Sequence, residues 1–405
     1  MIATPNRDNF ASRLADGAAR FNALKPELEL TVRDPVLGVE GHVVVWCTRN
    51  AAAGPLGRCG KGGTRIAPTV DLDEVRMLAR NQSLKNAAAN LPLGGAKSGL
   101  AADPDASGFE VKYRRFVNLT APALRQNGGI WGGLGFDIGA RPEHADWACD
   151  ELGHFDAFTG KPVQSGGTDY DKEGIAGLGV AVAAVTLLTE RQKRVSCATA
   201  AVQGLGALGA GVCRYACESN MLIRYIADPR VGGCWHLNEP LAGPLRKAVV
   251  EMNFSRSREI LEADGHHRSD LDDVLRAPVD VLFPCAVQNV VHEDNVDSIC
   301  ASAIVEGANN PLTPPARGAL HKRGIPVIPD IIANPGGSIA AFVELTSNIS
   351  NEENVRTHGK TELAKTLTRD KIAENVRQLL AISENAQADL VDAAHFLAYE
   401  RIFAN

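Results

Sequence analysis

The sequence contains no long apolar run. No segment among its 405 residues approaches about 18 uninterrupted apolar residues, the length that a membrane-spanning helix needs. The first residues, Met1 to Arg13, carry the charged side chains Arg7, Asp8 and Arg13 and have no apolar signal core. We therefore expect no membrane partner and a cytoplasmic location.

Clustered cysteines and a strong excess of one charge are also missing. The nine cysteines are scattered, with no Cys-x-x-Cys pair and no histidine-rich partner sequence. This pattern predicts neither a metal site nor a disulfide framework. The net charge of -6 and the pI near 6.0 give no reason to expect nucleic acid as a partner. With 45% hydrophobic residues, the chain is long enough to bury a large core and to divide into two domains, as a soluble enzyme does.

What the sequence does contain is three lysines in one short stretch, Lys61, Lys85 and Lys97, each beside glycines or a run of small residues. Glycine lets the backbone turn sharply or lets a ligand approach closely. A lysine that is crowded by other cations and shielded from water loses proton affinity. The group predicts a cleft that holds anionic groups and keeps one amine partly deprotonated. For any one of these lysines alone, the alternative is an ordinary surface lysine beside a loop.

A glycine-rich turn in the middle of the chain is the second strong signal. Residues Val195–Val202 are predicted to form a buried strand, and Ala210–Glu218 a helix. Between them, Gly204, Gly206 and Gly209 match the dinucleotide-binding fingerprint, in which the helix N-terminus receives the pyrophosphate. A turn whose glycines are purely structural is the alternative.

The residues after this helix bear on the choice of dinucleotide. The next predicted strand, Met221–Ala227, is followed by Asp228, about twenty residues after the glycines, where a carboxylate accepts the adenosine ribose hydroxyls. Asp228 favours NAD because a carboxylate repels a 2′-phosphate. Arg230 weakens that preference, since a guanidinium there pairs with such a phosphate. We expect NAD, with NADP as the alternative.

Three further predicted strands continue the alternation, and each is followed by Gly, Pro or Asn: Val279–Phe283, Ala303–Val305 and Val327–Ile332. Strands that end in this way at one edge place their loops along the ligand-binding rim of an open parallel sheet. Cys285 and Ala286 lie in the first of these loops. Asn289, Asn309 and Asn334 are candidates to bind the nicotinamide ribose or amide, with ordinary turn chemistry as the alternative.

The order of segments predicts an α/β fold with two domains. Residues 1–166 form an α/β substrate-binding and oligomerisation domain, and residues 167–344 form a Rossmann-type dinucleotide-binding domain. Amphipathic stretches at Thr361–Glu384 and Ala386–Phe403 predict C-terminal helices. We expect the segment 345–405 to return to the first domain and complete it.

Several motifs together resemble the glutamate/leucine/phenylalanine/valine dehydrogenases in order and spacing. They span roughly residues 30 to 350 and are Lys61-Gly-Gly-Thr-Arg65, Leu84-Lys-Asn86, Leu91-Pro-Leu-Gly-Gly-Ala-Lys-Ser-Gly99, Thr159-Gly-Lys-Pro162, Val202-Gln-Gly-Leu-Gly-Ala-Leu-Gly209, Glu306-Gly-Ala-Asn309 and Pro329-Asp-Ile-Ile-Ala-Asn-Pro-Gly-Gly337.

The resemblance implies reversible oxidative deamination of an L-amino acid to a 2-oxo acid and ammonia, with NAD or NADP. Lys85 would bind the α-carboxylate, and Lys97 would be the low-pKa lysine that activates water. Asp137, in Gly135-Phe-Asp137, would be the catalytic aspartate that moves protons to and from ammonia. Without the resemblance, Asp137 reads as a turn residue beside Gly139.

The resemblance gives a mixed answer on the substrate side chain. Lys61 matches the lysine that pairs with the γ-carboxylate in glutamate-specific members. Ala341 stands where those enzymes usually carry a serine hydroxyl for the same carboxylate. A charge-assisted contact is worth more than a neutral one, about 1.5–3 against 0.5–1.5 kcal/mol. We therefore expect L-glutamate, with a branched-chain or aromatic amino acid as the alternative.

Two departures from the family pattern leave another alternative open. Ala176 replaces the usual threonine near the nicotinamide amide, and Gly128–Gly133 is richer in glycine than usual. A catalytically weak, cofactor-binding regulatory paralogue is therefore the third hypothesis. The resemblance also implies a homo-oligomer, a hexamer, in which Asn9–Leu24 supports assembly. The expected cofactor-binding residues are Gly204, Gly206, Ala207, Leu208, Gly209, Asp228, Cys285, Ala286, Asn309 and Asn334.

Overall fold

The first part of the chain builds a five-stranded sheet with helices around it. The computed structural model describes residues 5–347 and 353–404, with only the backbone for 353–358. The elements of this part are α1 (Arg7–Asn22), β1 (Leu28–Asp34), β2 (Val39–Cys47), β3 (Gly60–Lys61), β4 (Thr64–Ala67), α2 (Leu72–Ala88), β5 (Gly94–Ala101), α3 (Phe109–Thr120), β6 (Leu134–Gly135), α4 (Pro142–Leu152) and β7 (Phe158–Thr159). The order is β1-β2-β5-β3, and β4 also pairs with β5.

Strand β5 is the centre of this sheet, and it carries Lys97. It pairs antiparallel with β2 and parallel with β3 and β4. A Cβ atom at Gly95 would lie 2.1 Å from the backbone nitrogen of Ser83 on α2. Only glycine therefore lets α2 pack directly against β5. This close packing brings Lys85 of α2 and Lys97 of β5 to the same side of the sheet edge.

A seven-stranded sheet with helices on both faces follows. Its elements are α5 (Ile175–Glu190), β8 (Thr199–Gln203), α6 (Ala207–Glu218), β9 (Leu222–Asp228), β10 (Gly233–His236), α7 (Gly243–Val250), α8 (Phe254–Ala263), β11 (His267–Ser269), β12 (Val281–Pro284), β13 (Ile304–Val305), α9 (Pro314–Lys322), β14 (Val327–Ile328), α10 (Asp330–Ala333) and α11 (Gly336–Thr346). The order is β11-β10-β9-β8-β12-β13-β14, in which β9, β8, β12, β13 and β14 are parallel.

The sequence predicted an open parallel sheet, but the sheet is parallel only in part. Strands β10 and β11 follow β9 as antiparallel neighbours and cover one edge. The turn after β9 makes this possible, because Gly232 and Gly233 both have positive φ and reverse the chain within a few residues. The strands around the glycine fingerprint, β9-β8-β12, keep the parallel order that a dinucleotide-binding unit requires.

Two predicted strands have different limits in the structure. The strand predicted at Val195–Val202 begins only at Thr199, whose amide binds Asp280, and Val195–Cys197 forms a 3₁₀ turn. The strand predicted at Val327–Ile332 ends at Ile328. Pro329 has no amide hydrogen to continue the ladder, and a short helix starts at the next residue.

Of the two C-terminal helices, the second returns to the first part of the chain, as predicted, whereas the first packs mainly against α5 and α11. The two helices are α12 (Glu353–Ala386), which has a break at Gly359, and α13 (Leu390–Phe403). Helix α13 packs against α1 and α2. Glu400 of α13 forms an ion pair with Arg13 of α1 at 2.7 Å, and Arg401 donates to the carbonyl oxygen of Ala87 at 3.2 Å. The predicted segment 345–405 also includes residues 348–352 and 405, which lie outside the described residues.

Candidate active site

A cavity of about 160 Å³ lies in the cleft between α2 and β5 on one side and the start of α11 on the other. It brings together four of the five predicted substrate or catalytic residues: Lys61, Lys85, Lys97 and Ala341. The other lining residues are Gly62, Gly63, Gln82, Asn86, Leu93, Gly135, Phe136, Thr159, Tyr170, Ala176, Asn334, Gly337 and Ser338. A larger cavity, about 580 Å³, lies near α5, α9, α12 and α13 and is lined by none of the predicted residues.

Lys97 and Asp137 form an ion pair at one end of the small cavity. The Nζ of Lys97 lies 2.6 Å from Oδ2 of Asp137, and both side chains are nearly buried. Burial alone would raise the pKa of Asp137, but the charges of Lys97 and Arg65 outweigh it and lower the pKa to about 2. Asp137 is therefore an ionised carboxylate over the whole neutral pH range.

Arg65 fixes the other oxygen of this carboxylate. Its guanidinium donates to Oδ1 of Asp137 at 3.2 Å and to Glu74 at 2.8 Å. The backbone amide of Ile138 also donates to Oδ1, at 2.7 Å. Oδ2 of Asp137 is thus left to Lys97. Two distant side chains, Arg65 and Lys97, and the adjacent backbone amide of Ile138 hold the carboxylate in one orientation.

Lys61 is buried in the wall of the same cavity. Its ammonium donates to the carbonyl oxygens of Gly133, at 2.7 Å, and Leu134. Burial lowers the pKa of Lys61 to about 7. The amine that titrates near neutral pH is thus the one proposed for the side-chain pocket, and backbone carbonyls hold it at the cavity wall.

Lys85 bridges the two sides of the cleft. Its Nζ donates to Oδ1 of Asn309 at 2.7 Å. Asn334 supports that contact by donating to Asn309 at 3.2 Å and to the carbonyl oxygen of Gly307 at 2.7 Å. Burial lowers the pKa of Lys85. Asn289, by contrast, lies in an exposed left-handed turn, where turn chemistry accounts for it.

The glycine loop has the geometry that a dinucleotide needs. Gly204 has a φ of +87°, and a Cβ atom at Gly209 would lie 1.8 Å from the carbonyl oxygen of Gly204. The space beside Gly206 is open, because a Cβ atom added to this residue would meet only the guanidinium of Arg230, at 3.7 Å. Helix α6 starts at Ala207 without a side-chain cap, so its first amides are available to an anion.

The neighbouring loops close around this turn. Ala286 is exposed and lies 2.8 Å from where a Cβ atom of Gly204 would be. Cys285 is buried behind it, and burial raises the pKa of its thiol far above the ordinary range. Leu208 lies in the first turn of α6, beside Gly307. The loop residues thus fit a dinucleotide as a group, with Cys285 supporting the loop from the core.

Asp228 lies at the end of β9 as predicted, but both oxygens of its carboxylate already accept hydrogen bonds from the protein. It accepts hydrogen bonds from the backbone amide of Leu205 at 2.8 Å and from the guanidinium of Arg230, Nε to Oδ1 and Nη2 to Oδ2, each at 2.8 Å. Burial raises the pKa of Asp228, and Arg230 and the amides more than offset this, so that its pKa is lowered. The Arg230 side chain is about half exposed and stacks on Phe254.

Several site residues were not predicted from the sequence. Gln82 lies one helical turn before Lys85 on α2, and Ser338 lies three residues before Ala341 on α11. Helical spacing from the two predicted residues would have placed both on the cavity side. Arg65 and Asn86 stand inside the quoted motifs, but no local signal showed which groups they contact.

Within residues 5–347 and 353–404, no group of three or more His, Cys, Asp or Glu side chains is arranged to hold a metal ion. In the same residues, no helix has the length and apolar character to cross a membrane.

This chain is similar in sequence to known amino-acid dehydrogenases. The model of the Glu/Leu/Phe/Val dehydrogenase dimerisation domain matches residues 26–154. An NADP(+)-dependent glutamate dehydrogenase from Pyrobaculum calidifontis is 32% identical over 87% of this chain and 83% of that protein. A glutamate dehydrogenase from Aeropyrum pernix is 30% identical over 93% and 90%.

Solved structures show the same architecture. A hetero-hexameric glutamate dehydrogenase from Thermus thermophilus in a leucine-bound form is 26% identical, covers 99% of this chain and 97% of that chain, and superposes with a TM-score of 0.76. An L-tryptophan dehydrogenase from Nostoc punctiforme, 22% identical over 96% and 98%, has a TM-score of 0.67 and shares the fold. The model of Glutamate/Leucine/Phenylalanine/Valine dehydrogenase matches residues 166–405, and this chain therefore belongs to that family of oxidoreductases acting on CH–NH₂ groups.

Proposed function

We propose that this protein catalyses the reversible oxidative deamination of L-glutamate to 2-oxoglutarate and ammonia, with NADP or NAD. The observation that carries the proposal is the Lys97–Asp137 ion pair in a cavity that also contains the ammonium groups of Lys61 and Lys85. Two cations for two carboxylates and one acid–base pair are the groups that this reaction needs.

Lys85 binds the α-carboxylate of the substrate in this proposal. In the structure its ammonium holds Asn309 on the opposite side of the cleft. A carboxylate forms a stronger, charge-assisted hydrogen bond than the neutral amide oxygen does. The substrate therefore takes the place of Asn309, which becomes available to the ribose or amide of the nicotinamide, next to Asn334.

Lys97 and Asp137 handle the protons. A dinucleotide held by the glycine loop and the start of α6 would supply the hydride acceptor for the substrate α-carbon. Lys97 takes a proton from the water that attacks the imino carbon, and its positive charge then stabilises the resulting oxygen. Asp137 accepts that proton across 2.6 Å and delivers it to the departing nitrogen. The ion pair supports the role, because it holds the carboxylate of Asp137 directly beside the Nζ of Lys97.

Arg230 points to NADP as a cofactor. Asp228 uses its oxygens for Arg230 and Leu205 and holds the guanidinium beside the glycine loop, where an adenosine 2′-phosphate lies in this type of site. The relative from Pyrobaculum calidifontis is named NADP(+)-dependent.

The variant Arg230→Ala tests this choice of cofactor. It should raise the KM for NADPH about tenfold or more and change the KM for NADH little, because only NADPH carries the phosphate. Arg256→Ala, on the exposed side of α8 near Phe254, is the matched control. Equal effects of Arg230→Ala on both cofactors would contradict the assignment.

Glutamate is the substrate that the pocket favours. Lys61 is the cation for the γ-carboxylate, and relatives at 30–32% identity are named glutamate dehydrogenases. The alternative, an apolar amino acid, rests on Ala341, which offers no hydroxyl and is buried at the cavity wall. A regulatory role is the second alternative: Ala176 lines the same cavity, and one structural relative is hetero-hexameric and so contains more than one kind of subunit.

The proposed mechanism uses two domains that close on each other. We assign substrate binding and oligomerisation to 1–166 with 345–405, and dinucleotide binding to 167–344. Closure of the cleft between them excludes bulk water from the imino intermediate. A homo-hexamer is the assembly we propose, and light scattering of the purified protein measures it directly.

The experiment is reductive amination with ammonia, followed as loss of NADPH or NADH absorbance. The oxo acids are 2-oxoglutarate, 4-methyl-2-oxopentanoate and phenylpyruvate. Turnover with 2-oxoglutarate alone supports the proposal. Preference for an apolar oxo acid would show that Ala341 and its neighbours decide the specificity. No turnover with any of them, together with measurable cofactor binding, would favour the regulatory alternative.

A further inference from the structure

A chain of hydrogen bonds with only one consistent direction leads into the cavity. It starts at Asn86, which is completely buried in α2. The side-chain nitrogen of Asn86 donates to two backbone carbonyl oxygens, those of Lys61 at 3.2 Å and Gly94 at 2.8 Å. Carbonyl oxygens only accept, so the amide of Asn86 cannot be flipped without losing both bonds. Its Oδ1 must therefore face Gln82.

This orientation determines that of Gln82. Oδ1 of Asn86 is an acceptor, so the group that approaches it at 2.8 Å must be the amide nitrogen of Gln82. The same nitrogen lies 3.0 Å from Oγ of Ser338 on α11, across the cleft. Its two hydrogens serve these two bonds. Ser338 consequently accepts from Gln82, and its own hydroxyl hydrogen is not used in that contact.

The hydroxyl hydrogen of Ser338 has no acceptor among the residues that the structure describes. Ser338 lines the cavity together with Lys61, Lys85 and Ala341. It lies three residues before Ala341 on α11 and so shares its face of the helix. The cavity wall therefore lacks a hydroxyl at Ala341 but has one a turn earlier, and that hydroxyl is held as a donor.

We propose that Ser338 is a substrate-binding residue whose hydroxyl donates a hydrogen bond to a carboxylate oxygen of the substrate, with Asn86 and Gln82 as positioning residues that fix this direction. The inference rests on the proposed function for the identity of the substrate. Both the α-carboxylate and the γ-carboxylate of glutamate have the required chemistry, and the test distinguishes them.

The test compares Ser338→Ala with Ser338→Thr, which keeps the hydroxyl. Ser347→Ala is the control, because the Ser347 hydroxyl lies at the other end of α11 and donates to the backbone carbonyl oxygen of Glu344. Calorimetric titration in the presence of NADP measures binding of 2-oxoglutarate, of glutarate and of 4-methyl-2-oxopentanoate. Loss of a hydrogen bond to a charged group should raise the Kd in Ser338→Ala about tenfold or more.

The pattern across ligands identifies the carboxylate. A loss in Ser338→Ala for all three ligands assigns the hydroxyl to the carboxylate that they share. A loss for the two dicarboxylates alone assigns it to the γ-carboxylate. An unchanged Kd for all three, or the same loss in Ser338→Thr as in Ser338→Ala, overturns the proposal.

Failure of the proposed function gives a different result. Ser338-dependent binding by a protein without turnover would reject the glutamate dehydrogenase activity and support the role of Ser338. A wild-type protein that binds none of the three carboxylates would overturn both proposals.

Discussion

Two buried carboxylates, one on each side of the cleft, both have arginine partners. Their pKa values are nevertheless shifted in opposite directions. Asp137 in the first part of the chain binds Arg65, and Glu306 after β13 in the second binds Arg317 through both oxygens, at 3.0 and 2.9 Å. The pKa of Asp137 is lowered to about 2. Burial and the nearby carboxylate of Asp330 raise the pKa of Glu306 to about 8 in spite of Arg317.

The second neighbour of each carboxylate accounts for the difference. Asp137 has Lys97 as a further cation, whereas Glu306 has Asp330 as a further anion. One arginine is thus not enough to offset the desolvation of a fully buried carboxylate. Asp137 is kept ionised, which suits a proton acceptor. Glu306 instead accepts the backbone amide of Asp330 at 3.0 Å and orders the loop that carries Asn309.

Removing the charge of Asp137 should have the largest effect. Asp137→Asn keeps the shape but cannot accept a proton, so kcat should fall by about 10²–10⁴-fold. Circular dichroism and thermal melting check that the fold is kept. Asp105→Asn is the control, since Asp105 is an exposed partner of Arg141. A kcat within a few-fold of the wild type in Asp137→Asn would remove Asp137 from the chemistry.

Lys61 is a buried cation that contrasts with Lys97, because among the described residues it has backbone carbonyl oxygens and no carboxylate at hydrogen-bond distance. Lys61→Leu should raise the KM for L-glutamate about 10–100-fold, the loss of one charge-assisted bond. The KM for L-leucine should change little, and steady-state kinetics with both substrates measures the difference. Equal effects on both amino acids would exclude Lys61 from the side-chain pocket.

The same lysine predicts a pH dependence. Its pKa of about 7 in the free protein means that the ammonium form is lost as the pH rises through 7. The KM for L-glutamate in the wild type should therefore increase between pH 7 and pH 9 more than the KM for L-leucine does. This additional increase should be absent in Lys61→Leu. Its persistence in the variant would assign the titration to another group.

Glu306 should have a smaller effect, on stability. Its folded pKa of about 8 is above the unfolded value of 4.5, so the folded state binds more protons between these values. The free energy of unfolding of the wild type therefore falls as the pH rises from 4.5 to 8. Glu306→Gln cannot titrate, and its stability relative to the wild type should improve over this window by on the order of a few kcal/mol.

Urea unfolding at pH 5, 6.5 and 8 measures this change. Glu259→Gln, at an exposed position on α8, provides the control. If Glu306→Gln and the wild type lose stability in parallel over this range, then Glu306 is ionised throughout, and Arg317 outweighs Asp330.

The glycine loop and the C-terminal helices were predictable because their signals are local. Gly204 needs a positive φ, and the space at Gly209 exists only without a side chain, so the sequence alone marks this turn. The strand ends were less predictable. The strand predicted at Val327–Ile332 runs through Pro329, where the ladder in fact ends, and a helix begins at Asp330, whose side chain accepts the amide of Ile331.

The sequence by itself determined the family, the two-part α/β fold and the set of charged groups near the cleft, because motif order and helix periodicity are properties of the chain. Only the tertiary structure decided which donor meets which acceptor. The amide of Leu205 binds Asp228 across 23 positions of sequence, the carbonyl oxygen of Gly133 holds Lys61 across 72, and Gln82 meets Ser338 across 256. A hydrogen bond forms only when the donor and the acceptor are placed to within a few tenths of an ångström. Between segments far apart in the chain, only the folded structure sets that distance.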